Sequence, residues 1–253
     1  MQRKLISTLL AAAASALLCG AAAPALADNT AAIDGLACSI TPAPRNIEYP
    51  WMSVARWHEM FKEDVAVADA GNVDLLFVGD SITEGWNKQI WDQSFGQWKT
   101  ANFGIGGDHT GNVLWRLDHG HAEKLKPKLV VLTIGVNNFF HCQASPEQIF
   151  EGVKAIVGKL HTLYPGARIL LNGVLPYEKS AQDPKRAQII ELNRLISGLG
   201  DGQTIIYKDY GKRFLHDNGD MSPEIMADFL HPTPKGYKVW SDAMLPDIRQ
   251  LMR

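Results

Sequence analysis

Four short apolar runs, separated along the chain by helical patterns, constrain the fold more than any other feature of this sequence. The runs are rich in Leu, Ile and Val and do not alternate with polar residues, which is typical of strands buried on both faces of a parallel sheet. The predicted strands lie at residues 73–78, 129–134, 167–175 and 204–207, with a weaker fifth strand at 101–105.

Amphipathic segments occupy the intervals between these strands. Residues 145–147 (SPE) form a helix start signal, with an N-cap residue, a proline at the first helical position and an acid. Further helices are predicted at residues 51–68, from Asp183 onward and at residues 236–251. This alternation predicts parallel βαβ units, and therefore an α/β fold with helices on both faces of the sheet. No linker or internal repeat divides residues 51–253, which we expect to form one domain.

The first residues have the three-part pattern of a secretory signal peptide. Arg3 and Lys4 precede an apolar run at residues 5–18, and residues 25–27 (ALA) form a cleavage site of the A-x-A type. The alternative is a membrane anchor, but the dense apolar run is shorter than the ~20 residues that span a bilayer. We therefore expect residues 1–27 to be cleaved near Ala27, leaving a periplasmic or secreted protein with no stable membrane anchor.

The segment that follows, residues 28–50, is polar, contains proline and lacks periodicity, so it is expected to form an N-terminal arm. Cys38 in this arm and Cys142 remain after cleavage, in a compartment that is expected to be oxidising. Two interpretations stay open at this point. The cysteines either form a disulfide that ties the arm to the loop after Asn138, or they are two unrelated thiols.

The charge balance bears on the class of partner. The chain has 25 Lys and Arg against 27 Asp and Glu, a formal net charge of −2. A protein that binds nucleic acid would need a clustered cationic face, and no run of Lys or Arg longer than two occurs here. The expected partner is a small molecule and not a nucleic acid.

Polar and glycine-rich segments follow several of the predicted strands. In a parallel α/β sheet, ligands bind just outside the carboxyl ends of the strands, so residues of this kind are the candidates for a functional site. These segments, together with one near the end of the chain, are residues 79–83 (GDSIT), 104–108 (GIGGD), 135–138 (GVNN) and 228–232 (DFLHP).

These segments contain the groups that acyl transfer requires. A serine hydroxyl becomes an effective nucleophile when a neighbouring base takes its proton, and imidazole does this near neutral pH. Ser81 is the candidate nucleophile and His231 the candidate base, with Asp228, three residues earlier, able to orient the ring. The oxyanion of the tetrahedral intermediate needs hydrogen-bond donors, and the candidates are the N–H groups of Ser81 and Gly107 and the side-chain amide of Asn137.

Each segment also has an ordinary structural interpretation. Gly-Asp-Ser is more often a turn than a nucleophile, the glycines can form a βα turn, and Asn137 can cap a helix. Trp86 and residues 139–140 (FF) either line a substrate site or pack in the core. Arg116 either contacts an anion or forms a structural ion pair. The order of the four segments along the chain favours the catalytic interpretation.

Two competing motif classes are absent. The glycine-rich turn matches neither G-x-G-x-x-G nor a phosphate-binding loop that ends in GK[ST]. The α/β-hydrolase fold would carry its serine in G-x-S-x-G, but Thr83 stands in the fifth position here and the motif occurs nowhere else.

Together the four segments resemble the four sequence blocks of the SGNH hydrolases, also called the GDSL esterase/lipase family. The matching blocks lie at residues 79–81, 102–108, 135–138 and 228–231. Within that family, further markers are similar to the catalytic subunits of platelet-activating-factor acetylhydrolase and their bacterial esterase relatives. These markers lie at residues 51–53, 76–81, 103–108 and 113–117.

The resemblance implies a flavodoxin-like fold, a three-layer α/β/α sandwich with a five-stranded parallel sheet. It implies a triad of Ser81, Asp228 and His231, and an oxyanion hole formed by Ser81, Gly107 and Asn137. It also implies that the enzyme uses no metal and no organic cofactor. One departure is Asn138, where the wider family usually has Asp, and this leaves the role of Asn137 unaffected.

The resemblance further implies a serine carboxylic-ester hydrolase. We expect a short acyl group, acetyl above all, because no long insertion covers the site. The named subunits are intracellular whereas this chain is expected to be exported, so their lipid substrate is not carried over. The expected substrate is a small ester, either an O-acetylated carbohydrate or an acetylated lipid. The alternatives are an O-acyltransferase with the same triad and a lysophospholipase or thioesterase. The oligomeric state stays open, with a homodimer among the alternatives.

Overall fold

A parallel sheet of five strands forms the centre of the protein in a computed structural model that describes residues 34–253. The strands are β1 (Leu75–Gly79), β2 (Thr100–Gly104), β3 (Leu129–Thr133), β4 (Arg168–Asn172) and β5 (Ile205–Lys208). Every residue of β1 and β3 is buried, since helices cover both faces of the sheet. The predicted signal peptide, residues 1–27, lies outside the described residues, as do residues 28–33 of the predicted arm.

The order of the strands determines where a ligand can bind. The strands are arranged β2-β1-β3-β4-β5, and each neighbouring pair is parallel. Gly79 at the end of β1 is in register with Gly104 of β2 on one side and Thr133 of β3 on the other. The chain changes its direction of travel across the sheet after β2, and such a switch point is where open α/β sheets bind ligands. The segments that follow β1, β2 and β3 therefore meet at one edge.

Helices form the two outer layers. Within the described residues they are α1 (Gly35–Ile40), α2 (Val54–Ala70), α3 (Ser81–Glu84), α4 (Lys88–Phe95), α5 (Thr110–His119), α6 (Val136–His141), α7 (Pro146–Leu163), α8 (Pro184–Ser197) and α9 (Pro234–Leu251). Two 3-10 helices lie at Ala122–Lys124 and Gly211–Phe214. α5 and α8 pack against α7, and α4 packs against α9. Because crossovers between parallel strands are right-handed, α4 lies on the face opposite to α5, α7 and α8. α9 packs beside α4, which gives the three-layer α/β/α arrangement. No helix of residues 34–253 combines the length and the apolar character needed to cross a membrane.

Side-chain caps define where the helices begin. Ser145 Oγ accepts a hydrogen bond from Gln148 N at 3.4 Å, and Gln148 Oε1 accepts one from Ser145 N at 2.9 Å, so the predicted start signal is a capping box. α2 begins at Val54, three residues later than expected, because Ser53 Oγ caps it by accepting from Arg56 N at 3.0 Å.

β4 is shorter than the apolar run that contains it. The run predicts a strand at residues 167–175, but the strand ends at Asn172. Beyond it, Val174 pairs with a side chain of α8: Asn193 Oδ1 accepts from Val174 N at 2.8 Å, and Asn193 Nδ2 donates to Val174 O at 2.9 Å. A polar side chain thus replaces the neighbouring strand as the partner of this backbone.

A short helix lies in the segment that the sequence predicts to be an aperiodic arm. Asp34 Oδ1 caps α1 by accepting from Leu36 N at 3.0 Å and from Ala37 N at 3.1 Å. Six residues are too few to produce a helical periodicity in the sequence, and tertiary contacts hold such a helix in place. One of them is a disulfide between Cys38 and Cys142, whose Cα atoms are 5.6 Å apart. Of the two interpretations of the cysteines, the structure has the disulfide.

Candidate active site

Ser81 occupies the first position of α3, two residues after the end of β1. Asp80 caps this four-residue helix, because its Oδ1 accepts a hydrogen bond from Ile82 N at 2.9 Å. The Tyr237 hydroxyl on α9 donates to Ile82 O at 2.9 Å, which fixes α3 against the C-terminal helix. The turn therefore holds Ser81, partly buried, at the edge of the sheet.

Asp228 and His231 are brought together by a local turn before α9. One carboxylate oxygen of Asp228 accepts hydrogen bonds from Leu230 N at 3.0 Å and His231 N at 2.8 Å. The other oxygen lies 2.6 Å from His231 Nδ1. Phe229 has a positive φ of 59°, a backbone conformation that is unfavourable for residues other than glycine and that this tight turn imposes. The three-residue spacing thus has the geometry that the sequence suggests.

The imidazole connects this turn to the serine. His231 Nε2 is 2.9 Å from Ser81 Oγ, although 150 positions separate the two residues in sequence. Because Asp228 can only accept when ionised, Nδ1 carries the proton and donates to the carboxylate. Nε2 is then the acceptor for the serine hydroxyl, which is the protonation state that a general base requires.

Three potential oxyanion donors lie beside the hydroxyl. The Gly107 backbone has a φ of +74°, a left-handed conformation that other residues adopt only with strain. Asn137 Nδ2 donates to Asp108 O at 3.0 Å, which orients the amide and leaves its second hydrogen for another acceptor. Among residues 34–253, neither the Ser81 N–H nor the Gly107 N–H donates to a protein acceptor.

These groups share a cavity of about 530 Å³, which we call the main cavity. It is lined by Trp51, Met52, Ser81, Glu84, Gly106, Gly107, Asn137, Phe140, His141, Leu230 and His231. Every residue predicted for the site therefore lines it, apart from Asp228, which contacts it through His231.

Glu84 and Trp51 also line the main cavity, and the sequence-based prediction assigns neither of them a role in the site. Glu84 Oε2 accepts a hydrogen bond from Gly106 N at 2.6 Å, so it holds the loop that carries Gly107. The i, i+3 spacing from Ser81 was the available signal, but it is informative only once α3 is known to be a helix. Trp51 is 58% exposed and stacks on Tyr49, with ring centroids 4.9 Å apart.

A buried ion-pair network lies beneath the site. Arg116 donates from Nε to Asp108 at 2.8 Å, from Nη1 to Asp64 at 3.1 Å and from Nη2 to Gly79 O at 3.1 Å. Trp57 Nε1 donates to the other Asp108 oxygen at 2.6 Å. Of the two interpretations of Arg116, the structure has the ion pair: its side chain is only 4% exposed, and it ties β1 to α2 and α5.

The aromatic candidates separate into core and cavity residues. Trp86 is 8% exposed and packs against Phe95 and Trp240, with which its ring centroids are 5.2 and 5.1 Å apart, so it belongs to the core. Phe139 also packs against the core, whereas Phe140 is 42% exposed and forms part of the wall of the main cavity.

Burial and hydrogen bonding have opposite effects on two carboxyl groups of the site. Complete burial raises the pKa of Asp80 to about 7. Partial burial alone would raise the pKa of Asp228, but hydrogen bonds from the His231 ring and from the backbone N–H groups of His231 and Leu230 lower it below its ordinary value. The Asp228 carboxylate is therefore ionised at neutral pH, as an orienting partner must be.

One group of side chains in residues 34–253 has the spacing of a metal site, namely Cys38, His109 and Cys142. Both sulfurs belong to the disulfide, so neither is a thiolate, the form in which cysteine binds metals. The donor set therefore does not fit a metal ion.

A family model matches residues 77–239, a span that contains the proposed triad and the three oxyanion donors, and it describes GDSL-like lipases and acylhydrolases. The chain belongs to that family. It is accordingly a serine ester hydrolase, and the resemblance found in the four sequence segments is confirmed.

Similar proteins agree with this assignment. The alpha1 subunit of platelet-activating factor acetylhydrolase IB from Rattus norvegicus is 35% identical over 184 residues, which are 72% of this chain and 78% of the relative. A GDSL-like lipase from Bacteroides thetaiotaomicron has a similar structure, with a TM-score of 0.61, 21% identity, and coverage of 75% of this chain and 97% of its own. An acetylxylan esterase from Geobacillus stearothermophilus has a TM-score of 0.57 and 19% identity, covering 70% and 94%. The two structural likenesses confirm the predicted fold.

Proposed function

We propose that the enzyme hydrolyses esters of short acyl groups, acetyl above all, with Ser81 as nucleophile, His231 as general base and Asp228 as the orienting carboxylate. The observation that carries the proposal is the continuous hydrogen-bonded chain from Ser81 Oγ through His231 to Asp228, with distances of 2.9 and 2.6 Å. It is the arrangement that activates a serine hydroxyl at neutral pH.

The first half of the reaction forms an acyl-enzyme. Ser81 Oγ attacks the ester carbonyl carbon while its proton passes to His231 Nε2, and the carbonyl oxygen becomes an oxyanion. The Ser81 and Gly107 N–H groups and the Asn137 amide stabilise that charge. The intermediate collapses when the C–O bond to the alcohol breaks, and the alcohol leaves with the proton from His231.

The second half releases the acid. A water molecule gives its proton to His231 Nε2 and attacks the acyl carbon, and a second oxyanion forms at the same donors. Its collapse breaks the bond to Ser81 Oγ, which recovers the proton. Throughout, Asp228 stays ionised. Its carboxylate fixes the tautomer of the neutral His231 ring and stabilises the imidazolium that forms in each half of the reaction.

The preference for acetyl groups draws support from the names of similar proteins, which include a platelet-activating factor acetylhydrolase subunit and an acetylxylan esterase. We propose O-acetylated carbohydrates as the substrate class. The exposed, flat rings of Trp51 and Phe140 in the walls of the main cavity support this choice, since such rings offer an apolar face to a sugar.

The test is hydrolysis of 4-nitrophenyl esters of increasing acyl length by the wild type and by Ser81→Ala. We expect the acetate to be the best substrate and kcat to fall by roughly 10⁴-fold or more in Ser81→Ala, because the nucleophile is lost. Ser94→Ala, a change of a serine outside the site, is the matched control. Comparable activity of Ser81→Ala would contradict the mechanism, and a rate that rises steadily into long acyl chains would contradict the proposed acyl group.

A further inference from the structure

A second cavity of about 270 Å³ adjoins the main cavity, and Gly107 and His141 line both. We call it the side cavity. The N-terminal segment before α2, including Arg45 and Tyr49, forms one wall, and His109 and His141 at α5 and α6 form the other. It therefore opens beside a proposed oxyanion donor, and nothing in the proposed hydrolysis uses it.

The wall of the side cavity carries a single formal charge, which is positive. Among the described residues that line it there is no Asp or Glu, and Arg45 is the one permanently charged group. Burial lowers the pKa of His109 to about 4, with His141 and Arg45 adding to the effect. Burial and the nearby Arg45 also lower the pKa of His141. Both rings are thus neutral at pH 7, and the cavity favours an anion over a neutral or cationic group.

The Arg45 guanidinium is only partly satisfied within the protein. Nη2 donates to Gly106 O at 2.7 Å and lies 3.5 Å from Asp108 Oδ1. Nη1 is buried and has no hydrogen-bond partner among residues 34–253, and the side chain as a whole is 3% exposed. Asp108 is shared with Trp57 and Arg116, so it offers Arg45 little further compensation.

Neighbouring groups hold this cation in a fixed position. Its central carbon lies 5.3 Å from the centroid of the Tyr49 ring and 5.8 Å from that of Trp51. Tyr49 OH is in turn 3.0 Å from His141 Nδ1. A buried donor without a partner costs free energy, and an acceptor supplied by a ligand would remove that cost.

We infer that the side cavity is an anion-binding subsite, which holds a carboxylate or a phosphate of the substrate while the ester carbonyl lies at Ser81. The favoured substrates are therefore acetyl esters of sugar acids or of sugar phosphates. This inference rests on the proposed esterase function and specifies its substrate class.

The experiment measures acetate release from two matched pairs of substrates. One pair is an O-acetylated uronic acid and the corresponding uronamide, and the other is an O-acetylated sugar phosphate and its unphosphorylated sugar. We expect the wild type to prefer the anionic member of at least one pair by about tenfold or more in kcat/KM, since a charge-assisted hydrogen bond is lost with the neutral member. The pair that shows the preference identifies the anion.

Arg45 variants then test the origin of the preference. Arg45→Met is expected to bring the ratio of kcat/KM values close to one, and Arg45→Lys to retain part of it. The control is Arg56→Met, which removes an exposed arginine of α2 that pairs with Glu59 and Glu63, and it is expected to keep the wild-type ratio. A purely structural Arg45, acting through Gly106 O, would lower the rates of both members equally, and this result would overturn the inference.

Inhibition gives a second measurement that needs no variant. Galacturonate and inorganic phosphate are added to the wild type during 4-nitrophenyl acetate hydrolysis, and competitive inhibition by the matching anion is expected. No preference in either pair, together with no inhibition by either anion, overturns the subsite while leaving the esterase intact. Failure of the esterase itself shows separately, as undiminished hydrolysis by Ser81→Ala.

Discussion

Asp80, next to the proposed nucleophile, is buried as an acid whose ionisation is unfavourable. Burial raises its pKa from 3.8 to about 7. The folded protein therefore retains this proton at pH values where the unfolded chain has released it. Between about pH 4 and about pH 7 the folded state binds more protons, so the free energy of unfolding falls as the pH rises.

The corresponding prediction concerns Asp80→Asn, which keeps an oxygen acceptor for Ile82 N but cannot ionise. The shift corresponds to a contribution of about 4 kcal/mol at most, so the variant's free energy of unfolding should depend less steeply on pH across that window. The slope should not vanish, since burial also raises the pKa of Asp64 to about 7. Urea denaturation at several pH values measures how the free energy of unfolding of each protein depends on pH. Asp242→Asn, on the surface of α9, is the control. If the free energy of unfolding has the same slope against pH in Asp80→Asn and in the wild type, the raised pKa of Asp80 is contradicted.

The residues of the proposed triad and oxyanion hole could be selected from the sequence because each follows a recognisable motif. Asp228 and His231 are also close in sequence, so a local turn accounts for their contact. Glu84 and Arg45 could not be selected in this way. Glu84 accepts a hydrogen bond from the Gly106 N–H, and Arg45 donates one to the Gly106 carbonyl oxygen. No spacing in the sequence indicates a contact with a backbone group.

At the scale of elements, α1 depends on its attachment to the rest of the protein. A disulfide joins its Cys38 to Cys142, immediately after α6. Ser39 O accepts from Thr110 Oγ1 at 2.7 Å, and Asn138 Nδ2 donates to Ser39 Oγ at 3.0 Å. The Asn in place of the family's usual Asp thus acts as a donor to the arm, next to Asn137 on the same helix.

Reduction of this disulfide should destabilise the folded protein markedly. The bond closes a loop with a sequence separation of 104, for which the loss of chain entropy in the unfolded state corresponds to about 4 to 5 kcal/mol. We expect a reductant to lower the midpoint of urea unfolding of the wild type. The double variant Cys38→Ser/Cys142→Ser should unfold at the lower midpoint and show no response to reductant. The wild type and the double variant are each measured with and without reductant. A midpoint that is the same in all four samples would contradict the structural role of the bond.

Elements were predictable where the sequence pattern was distinctive. The five strands correspond to short apolar runs, and the long helices α2, α7, α8 and α9 correspond to longer helical patterns. Their ends depend on individual contacts, as with the Ser53 cap of α2 and the Asn193 side chain beyond β4, and these shift a boundary by a few residues. α1 could not be predicted, because tertiary contacts stabilise it more than its own sequence does.

At the scale of the whole molecule, the location of the main cavity follows from strand order alone. The switch point between β1 and β3 brings three strand ends to one edge, so motifs from distant parts of the chain converge there. The side cavity has a different origin. It forms where the N-terminal segment packs against the start of α5 and the end of α6, and no rule about parallel sheets places a segment that precedes the first strand.

The disulfide and the N-terminal pattern lead to the same prediction about the compartment. We propose that the protein is exported and cleaved after Ala27, because a disulfide persists in an oxidising compartment and residues 1–27 have the pattern of a signal peptide.

Expression of the full sequence in a Gram-negative host should give a product in the periplasmic extract or the medium whose intact mass corresponds to a chain that begins at Asp28. Its mass should increase by that of two hydrogen atoms when the disulfide is reduced to two thiols. The control is Ala25→Arg/Ala27→Arg, which removes the small residues of the cleavage site and should retain the leader. A wild-type product confined to the cytoplasmic fraction, with residues 1–27 still attached, would contradict export.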